Sequence, residues 1–209
     1  MSGQGRFITL EGGEGVGKST QAKRLAEALR SLGKTVVETR EPGGSPGAEA
    51  IRGLLMTGTA DRWTTGAEAL LFAAARADHV ARTIRPALEA GQWVVCDRFI
   101  DSSRAYQGGA DGIDDADLLR LHQIGSEGLL PDRTLLLALP GETGSERALA
   151  RDQGTADRFG ARNANYHARV TDAFKRLADS EPGRFRRVDA SGSAETVTQR
   201  LIAALEDLL

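Results

Sequence analysis

A glycine-rich segment near the N-terminus has the residue types and spacing of a phosphate-binding loop. Residues 12–19 read Gly-Gly-Glu-Gly-Val-Gly-Lys-Ser and match the pattern G-x-x-x-x-G-K-[S/T] at every fixed position. Glycines let backbone N–H groups point at phosphate oxygens, the lysine reaches the β- and γ-phosphates, and the serine hydroxyl binds Mg²⁺. This segment, the P-loop, predicts binding of a nucleoside triphosphate. The predicted binding residues are Gly12, Gly13, Glu14, Gly15, Val16, Gly17, Lys18, Ser19 and Thr20.

Arginines form a second candidate anion-binding set, because guanidinium forks bind phosphate bidentately and stay charged. They follow predicted strands or lie in polar or helical segments: Arg40, Arg52, Arg76, Arg98, Arg147, Arg151 and Arg158. The sequence contains no Asn-Lys-x-Asp motif, which argues against a GTPase switch, and no Ser-His-Asp or Cys-His set. Phosphoryl transfer requires mainly positioning and charge neutralisation. Two phosphate sites therefore favour a kinase that acts on a phosphorylated acceptor.

The elements that must position these groups are visible as short apolar runs and helical periodicity. We predict strands at residues 7–10, 35–39, 93–96, 134–139 and 185–188. We predict helices at residues 18–32, 48–56, 66–89, 99–107, 114–124, 142–151, 166–177 and 195–209. Pro86 should break or kink the helix at 66–89, and Gly108-Gly109 should end the helix at 99–107. This alternation implies an α/β fold with a five-stranded parallel sheet, helices on both faces and ligands beyond the carboxyl ends of the strands.

Length and composition narrow the class of protein. A chain of 209 residues suits one α/β domain, and its formal net charge of −2 comes without a basic block that could follow a nucleic-acid backbone. The N-terminus lacks an apolar signal segment, and the longest apolar run, 135–139, is too short to cross a membrane. Cys96 is the only cysteine, and we expect it to be a buried thiol. These features favour a cytoplasmic protein with no nucleic-acid or membrane partner.

Several segments resemble the bacterial thymidylate (dTMP) kinases, and together they run through most of the chain. They are Phe-Ile-Thr-Leu-Glu-Gly at 7–12, Thr-Arg-Glu-Pro-Gly-Gly at 39–44, Leu-Phe-Ala-Ala-Ala-Arg at 71–76, Asp-Arg-Phe at 97–99 and 157–159, Asp-Ser-Ser-Arg-Ala-Tyr-Gln-Gly-Gly at 101–109, and Pro-Asp-Arg-Thr at 131–134. The resemblance implies a P-loop NTPase fold of the nucleoside monophosphate kinase type. It further implies a single kinase domain over residues 1–209 with a mobile lid at about 147–162, and Mg²⁺-dependent phosphorylation of dTMP to dTDP by ATP.

The resemblance also implies which residues select the base and sugar of the acceptor. Phe72 resembles the ring that stacks on thymine, and Arg76, four positions later on the same helical face, resembles the donor to a thymine carbonyl. Ser103 and Gln107 are also four positions apart and could reach the base. Tyr106 resembles the ring that crowds the 2′ position and so favours deoxyribose.

The sugar hydroxyl and the acceptor phosphate are assigned by the same resemblance. Glu14 looks like the carboxylate that accepts a hydrogen bond from the 3′-hydroxyl. Arg98 looks like the main ligand of the acceptor phosphate, with Arg40 and Arg52 as weaker candidates. Pro42 belongs to the same substrate-binding set, and the resemblance suggests a cis peptide bond before it.

Charge for the transferring phosphoryl group is expected from the lid, because Gly15 stands where some relatives carry an arginine. Arg151 stands where the lid arginine is expected, with Arg147 and Arg158 in support. Asp97, after the third strand, is the second candidate for Mg²⁺ or its waters, beside the P-loop serine. The predicted catalytic residues are Lys18, Arg98, Arg151 and Glu14.

Two other functions stay open on the sequence alone. One is a kinase for another nucleoside monophosphate, such as dUMP, dCMP or a purine nucleotide. The other is a non-catalytic nucleotide-binding module, which would not need a second arginine set and a polar lid. The resemblance also suggests a homodimer, formed through helices such as 66–89 and 99–107.

Overall fold

One parallel sheet forms the centre of the molecule. The computed structural model describes residues 5–59, 61–139, 158–160 and 162–209. Within them the strands are β1 (Phe7–Glu11), β2 (Val36–Arg40), β3 (Trp93–Asp97), β4 (Arg133–Ala138) and β5 (Phe185–Asp189). They pair in parallel in the order β2-β3-β1-β4-β5. All of β1, the central strand, is buried, as expected for a parallel strand covered on both faces. The predicted five-stranded parallel sheet is confirmed.

Helices connect the strands and cover the sheet. They are α1 (Lys18–Ser31), α2 (Pro46–Met56), α3 (Thr65–His79), α4 (Arg85–Glu89), α5 (Ile100–Ser103), α6 (Asp115–Ser126), α7 (Ala164–Ser180) and α8 (Ala194–Ala203). Asp114 caps α6 as predicted, since its side chain accepts a hydrogen bond from Ala116 N. The predicted helix at 142–151 lies outside the described residues, as does most of the predicted lid. Within the described parts of the chain, none of the helices combines the length and apolar character needed to cross a bilayer.

The two faces of the sheet bury different side chains, because successive residues of a strand point to opposite sides. Ile8 and Leu10 belong to a core shared with α1 and α8. Phe7 lies on the other face, where its ring packs edge-on against Phe99 with centroids 4.8 Å apart. Glu11 follows the same alternation and therefore points to the Phe99 side, below the carboxyl end of β3.

Two predicted interruptions of helices have a different form in the structure. The segment 66–89 changes type rather than breaking: a π-helical stretch, Val80–Ile84, joins α3 to α4, and Pro86 lies in the first turn of α4. The prediction that Gly108-Gly109 ends a helix is wrong, since Arg104–Ala110 is one π-helical stretch. A Cβ on Gly109 would lie 2.2 Å from the Cβ of Ala173, so this glycine instead permits close packing against α7.

Candidate active site

The P-loop connects the end of β1 to the start of α1. Gly12 and Gly17 have φ values of 140° and 92°, which residues with a side chain rarely adopt. A Cβ on Gly12 would also lie 2.5 Å from the carbonyl oxygen of Leu137. Since α1 begins at Lys18, its first backbone N–H groups and its positive dipole end face the loop. The loop therefore has the shape and charge of an anion site, as its sequence predicts.

Lys18 folds back over this loop. Its Nζ donates a hydrogen bond to the carbonyl oxygen of Gly13 at 2.6 Å. Burial, together with the positive charge of Arg98, lowers the pKa of Lys18 to about 8, although Glu14 and Asp97 act in the opposite direction. A bound polyphosphate would add negative charge and favour the protonated ammonium.

Arg98, Glu14 and Tyr106 form a hydrogen-bonded cluster beside the P-loop. Arg98 Nη2 donates to Glu14 Oε1 at 2.6 Å and to the Tyr106 hydroxyl at 3.2 Å, and that hydroxyl donates to Glu14 Oε1 at 2.8 Å. Arg98 Nη1 donates to the carbonyl oxygen of Gly12 at 3.2 Å. Burial alone would raise the pKa of Glu14, but Arg98 and Lys18 lower it to about 2. Glu14 is therefore an anionic hydrogen-bond acceptor at neutral pH.

The backbone at Arg98 is strained, and the residues that follow it are held by hydrogen bonds to a buried carboxylate. Arg98 has a φ of 71°, in the left-handed region that favours glycine. The buried carboxylate of Glu11 accepts hydrogen bonds from Phe99 N at 2.8 Å and from the Ser102 hydroxyl at 2.6 Å. Burial and the charge of Asp101 raise the pKa of Glu11 to about 7. No spacing or motif in the sequence assigns a role to Glu11, although a carboxylate at the end of a wholly buried strand is itself unusual.

Phe72 and Arg76 lie one turn apart on α3 and both line the cleft. The Phe72 ring contacts that of Phe159, with centroids 5.7 Å apart and an interplanar angle of 60°. Arg76 Nε donates to Glu41 Oε2 at 2.8 Å, and Nη2 donates to Ser103 Oγ at 2.9 Å. Arg76 Nη1 has no hydrogen-bond partner among the described residues, so one edge of its guanidinium can bind a ligand.

Gln107 and Arg158 share a buried carboxylate. Gln107 Nε2 donates to Glu68 Oε1 at 2.9 Å, and Arg158 Nη2 donates to Glu68 Oε2 at 3.0 Å. The Arg158 side chain is 1% exposed and also donates to two backbone carbonyl oxygens. This position differs from the prediction that Arg158 supplies charge to the phosphoryl group, because its charge is already paired with Glu68. Arg147 and Arg151 lie outside the described residues.

Arg40, Arg52 and Pro42 line the side of the cleft that follows β2. Arg40 is half exposed and donates to Glu49 Oε1 at 3.1 Å. Arg52 Nη1 donates to the carbonyl oxygen of Pro42 at 2.7 Å. The Glu41–Pro42 peptide bond is cis, as the resemblance suggests. Both arginines are thus present at the cleft wall.

Ser19 and Asp97 meet at the tips of α1 and β3. The Ser19 hydroxyl donates to Asp97 Oδ2, and the buried Asp97 Oδ1 lacks a hydrogen-bond partner among the described residues. These oxygens suit Mg²⁺, which usually takes one or two protein ligands together with waters and substrate phosphates. A cluster of three or more His, Cys, Asp or Glu side chains that could hold a metal is absent from the described part of the chain. The pair fits Mg²⁺ held jointly with a nucleotide.

The P-loop, the two arginine sets and Phe72 border one cleft of about 270 Å³ beyond the carboxyl ends of β1, β2 and β3, whereas Glu11, Glu68 and Arg158 do not line it. Five lining residues had no predicted role: Glu41, Met56, Phe99, Ser102 and Phe159. Their side chains are either apolar or hydrogen-bonded to other residues of the chain, so no sequence pattern distinguishes them from core residues. A P-loop that faces an arginine-based anion site and an aromatic pocket across one cleft defines the class of nucleoside monophosphate kinases.

Comparison with known proteins identifies the family within this class. The sequence profile of the thymidylate kinases matches residues 10–201. A thymidylate kinase of Rhizorhabdus wittichii is 66% identical over 205 residues, which cover 98% of this chain and 99% of the relative. A thymidylate kinase of Caulobacter vibrioides is 50% identical, with coverage of 99% and 96%. The crystal structure of thymidylate kinase from Ehrlichia chaffeensis superposes with a TM-score of 0.79 at 31% identity, covering 96% of this chain and 98% of that one.

The chain therefore belongs to the thymidylate kinase family. This confirms the predicted fold class, that of a P-loop nucleoside monophosphate kinase. It also confirms the prediction of an enzyme that uses ATP and dTMP as substrates.

Proposed function

We propose that the chain transfers the γ-phosphoryl group of ATP to the phosphate of dTMP within this cleft, yielding ADP and dTDP. The position of Arg98 carries the assignment of the two sites. Its guanidinium contacts the carbonyl oxygen of Gly12 in the P-loop on one side and Tyr106 on the other. An acceptor phosphate bound to Arg98 would therefore lie next to the phosphates of the donor.

The chemical step needs little covalent help from the protein. The acceptor phosphate is already anionic, so no general base has to remove a proton. One of its oxygens attacks the γ-phosphorus in line, while the bond from that phosphorus to the bridging oxygen of ADP breaks. Lys18 would neutralise charge on the donor side and Arg98 on the acceptor side. We also propose Arg151, outside the described residues, as the lid arginine, because it lies in the polar stretch where the family resemblance expects one.

The same cluster would orient the sugar of the acceptor. Glu14 Oε1 is occupied by Arg98 and Tyr106, whereas Glu14 Oε2 has no hydrogen-bond partner among the described residues. We propose that Oε2 accepts the hydrogen bond from the 3′-hydroxyl and that the Tyr106 ring excludes a 2′-hydroxyl. Phe72 would stack on the base, and Arg76 would donate to a base carbonyl.

Mg²⁺ is the proposed cofactor, held by Ser19 and Asp97 with the phosphates of ATP. Its support is the donor set itself, two hard oxygens at the P-loop with one carboxylate oxygen left unpaired. When bound, the ion would neutralise charge that develops on the β- and γ-phosphates.

A homodimer and a cytoplasmic location are further proposals. The helical segment 99–107 is buried against the rest of the chain, so the prediction that it faces a partner is wrong. In contrast, α3 and α6 pack together and expose Leu70 (58%) and Ile124 (82%), which supports a partner surface on these helices. Light scattering should give twice the chain mass, and Ile124→Glu should lower it; a monomer mass at micromolar concentration contradicts the dimer.

The cytoplasmic location is supported by ATP as co-substrate and by Cys96 as a buried free thiol.

An acceptor panel tests the assignment directly. Formation of ADP is followed with ATP and dTMP, dUMP, dCMP or dGMP, each with and without Mg²⁺. We expect dTMP to have the highest kcat/KM and the activity to require Mg²⁺. Faster turnover of another monophosphate would overturn the choice of dTMP, and ATP binding without transfer to any acceptor would favour the nucleotide-binding module.

A further inference from the structure

A buried chain of four side chains lies behind the guanidinium of Arg76. Thr39 Oγ1 is 2.7 Å from His79 Nε2, and His79 Nδ1 is 3.1 Å from Glu41 Oε1. The second oxygen of Glu41, Oε2, accepts the hydrogen bond from Arg76 Nε at 2.8 Å. The side chains of His79, Glu41 and Arg76 are 0%, 5% and 4% exposed. Of these four, only Glu41 and Arg76 line the cleft, so His79 and Thr39 act on a ligand only through them.

The fold brings these residues together from two directions. Arg76 and His79 are three positions apart on α3 and therefore share a face of the helix. Glu41 follows β2, and its backbone N–H donates to the carbonyl oxygen of Asp97 at 2.9 Å. Gly44 then closes the loop over the pair, since a Cβ there would lie 2.4 Å from His79 Nε2. The contact between His79 and Glu41 is thus sealed from solvent.

This arrangement restricts the rotation of both charged groups. If the Thr39 hydroxyl donates to His79 Nε2, the ring hydrogen on Nδ1 faces Glu41. With one oxygen on His79 and the other on Arg76, the Glu41 carboxylate cannot rotate without losing a buried hydrogen bond. The plane of the Arg76 guanidinium is fixed in turn, and its unpaired Nη1 is held at the cleft as a donor of set direction.

A fixed donor discriminates between pyrimidines. Thymine and uracil present a carbonyl oxygen at ring position 4, whereas cytosine presents an amino group there, which is itself a donor. A donor that cannot turn away leaves two N–H groups facing each other when cytosine binds, and unpaired polar groups in a buried site are strongly disfavoured.

We propose that His79 is a positioning residue for the acceptor base: it fixes Arg76 through Glu41 and thereby sets the preference for a 4-carbonyl over a 4-amino pyrimidine. The inference rests on the proposed contact between Arg76 and the base, and it further places that contact at the ring-4 carbonyl. His79 itself touches neither substrate.

The test compares two substitutions at His79 with a matched control in the π-helical stretch that follows it. His79→Ala should raise the KM for dTMP about tenfold and lower the dTMP-to-dCMP ratio of kcat/KM about tenfold, with the KM for ATP within about twofold. His79→Asn keeps an N–H donor near the Nδ1 position and should recover KM to within about threefold. Thr83→Ala removes a hydrogen bond to the carbonyl oxygen of Gly44, 2.7 Å long, without touching Glu41, and should leave both parameters within about twofold.

A double-mutant cycle separates this inference from the proposed function. If His79 acts through Arg76, His79→Ala should have no further effect on KM for dTMP in an Arg76→Ala background. Additive losses would overturn the inference, because they would indicate a general packing role. An unchanged KM in Arg76→Ala alone would instead overturn the base contact. If His79→Ala unfolds, Thr39→Val carries the test: it should raise KM for dTMP about threefold, and no rise would contradict the inference.

Discussion

Replacement of Arg98 by lysine tests the acceptor-phosphate site most directly, because it keeps the charge and removes the fork. Arg98 makes four hydrogen bonds with two terminal nitrogens: Nη1 donates to the carbonyl oxygen of Gly12 and to Ser102 Oγ, and Nη2 donates to Glu14 and Tyr106. A lysine ammonium is a single point of charge and cannot serve both sides of this cluster. A phosphate that binds both terminal nitrogens of the Arg98 guanidinium would likewise lose this two-point contact when lysine replaces arginine.

The size of the effect follows from the contacts that are lost. A hydrogen bond to a charged group contributes about 1.5–3 kcal/mol, and Arg98→Lys removes on the order of two such bonds to the acceptor phosphate. A loss of about 3–6 kcal/mol in the transition state corresponds to a decrease of roughly 10²–10⁴-fold in kcat/KM for dTMP. Since the donor phosphates are assigned to the P-loop and Lys18, the KM for ATP should change by less than about threefold.

The assay measures ADP formation at saturating ATP with varied dTMP, and then at saturating dTMP with varied ATP. Arg40→Lys is the matched control, because Arg40 borders the same cleft but is half exposed and paired with Glu49. It should lower kcat/KM for dTMP by less than about fivefold. Equal losses in the two variants, or a loss that appears in the KM for ATP, would refute the assignment of the acceptor phosphate to Arg98.

Three further predictions concern the lid, the loop support and the packing. Arg151→Ala should lower kcat about 10³-fold in steady-state assays, as loss of an arginine finger does. A decrease of less than tenfold would show that another residue supplies this positive charge. Burial and the charge of Asp101 raise the pKa of Glu11 from 4.5 to about 7, so the folded state binds a proton that the unfolded chain releases; stability should fall as pH rises through this interval. Thermal unfolding should show that fall in the parent and a flatter profile in Glu11→Gln, and equal slopes would contradict the shift. Gly109→Ala should destabilise the fold by about 1–3 kcal/mol in denaturant unfolding, because its Cβ would overlap Ala173, and an unchanged midpoint would contradict the tight packing.

Local sequence was enough to predict the strands, most helices of the described residues and the anion-binding shape of the P-loop. Buried parallel strands are continuous apolar runs, and amphipathic helices repeat with their own period, so each is recognisable without its neighbours. The P-loop is likewise a contiguous device, since its glycines, Lys18 and Ser19 act within one strand–loop–helix unit. Helix ends were less predictable, because Gly109 serves a contact with α7 that is distant in sequence.

The proposed acceptor site rests on resemblance and on simple helical spacing. Phe72 and Arg76 share a face of α3 by periodicity, and the structure places both at the cleft. The structure gives Arg158 a different role from the one expected, because Arg158 pairs with Glu68, 90 positions away. No local sequence pattern predicts that ion pair. The lid arginines stay predictions.

Only the tertiary structure decided which side chains support the functional ones. Glu11 reaches Phe99 across 88 positions, and Glu41 reaches Arg76 across 35, because Glu11 ends β1 and Glu41 follows β2 at the same edge of the sheet. A buried carboxylate must find donors wherever the folded chain supplies them, and that choice depends on the path of the backbone rather than on spacing. The sequence by itself therefore determined the sheet and the phosphate loop, whereas the fold determined how Arg76 and Arg98 are held.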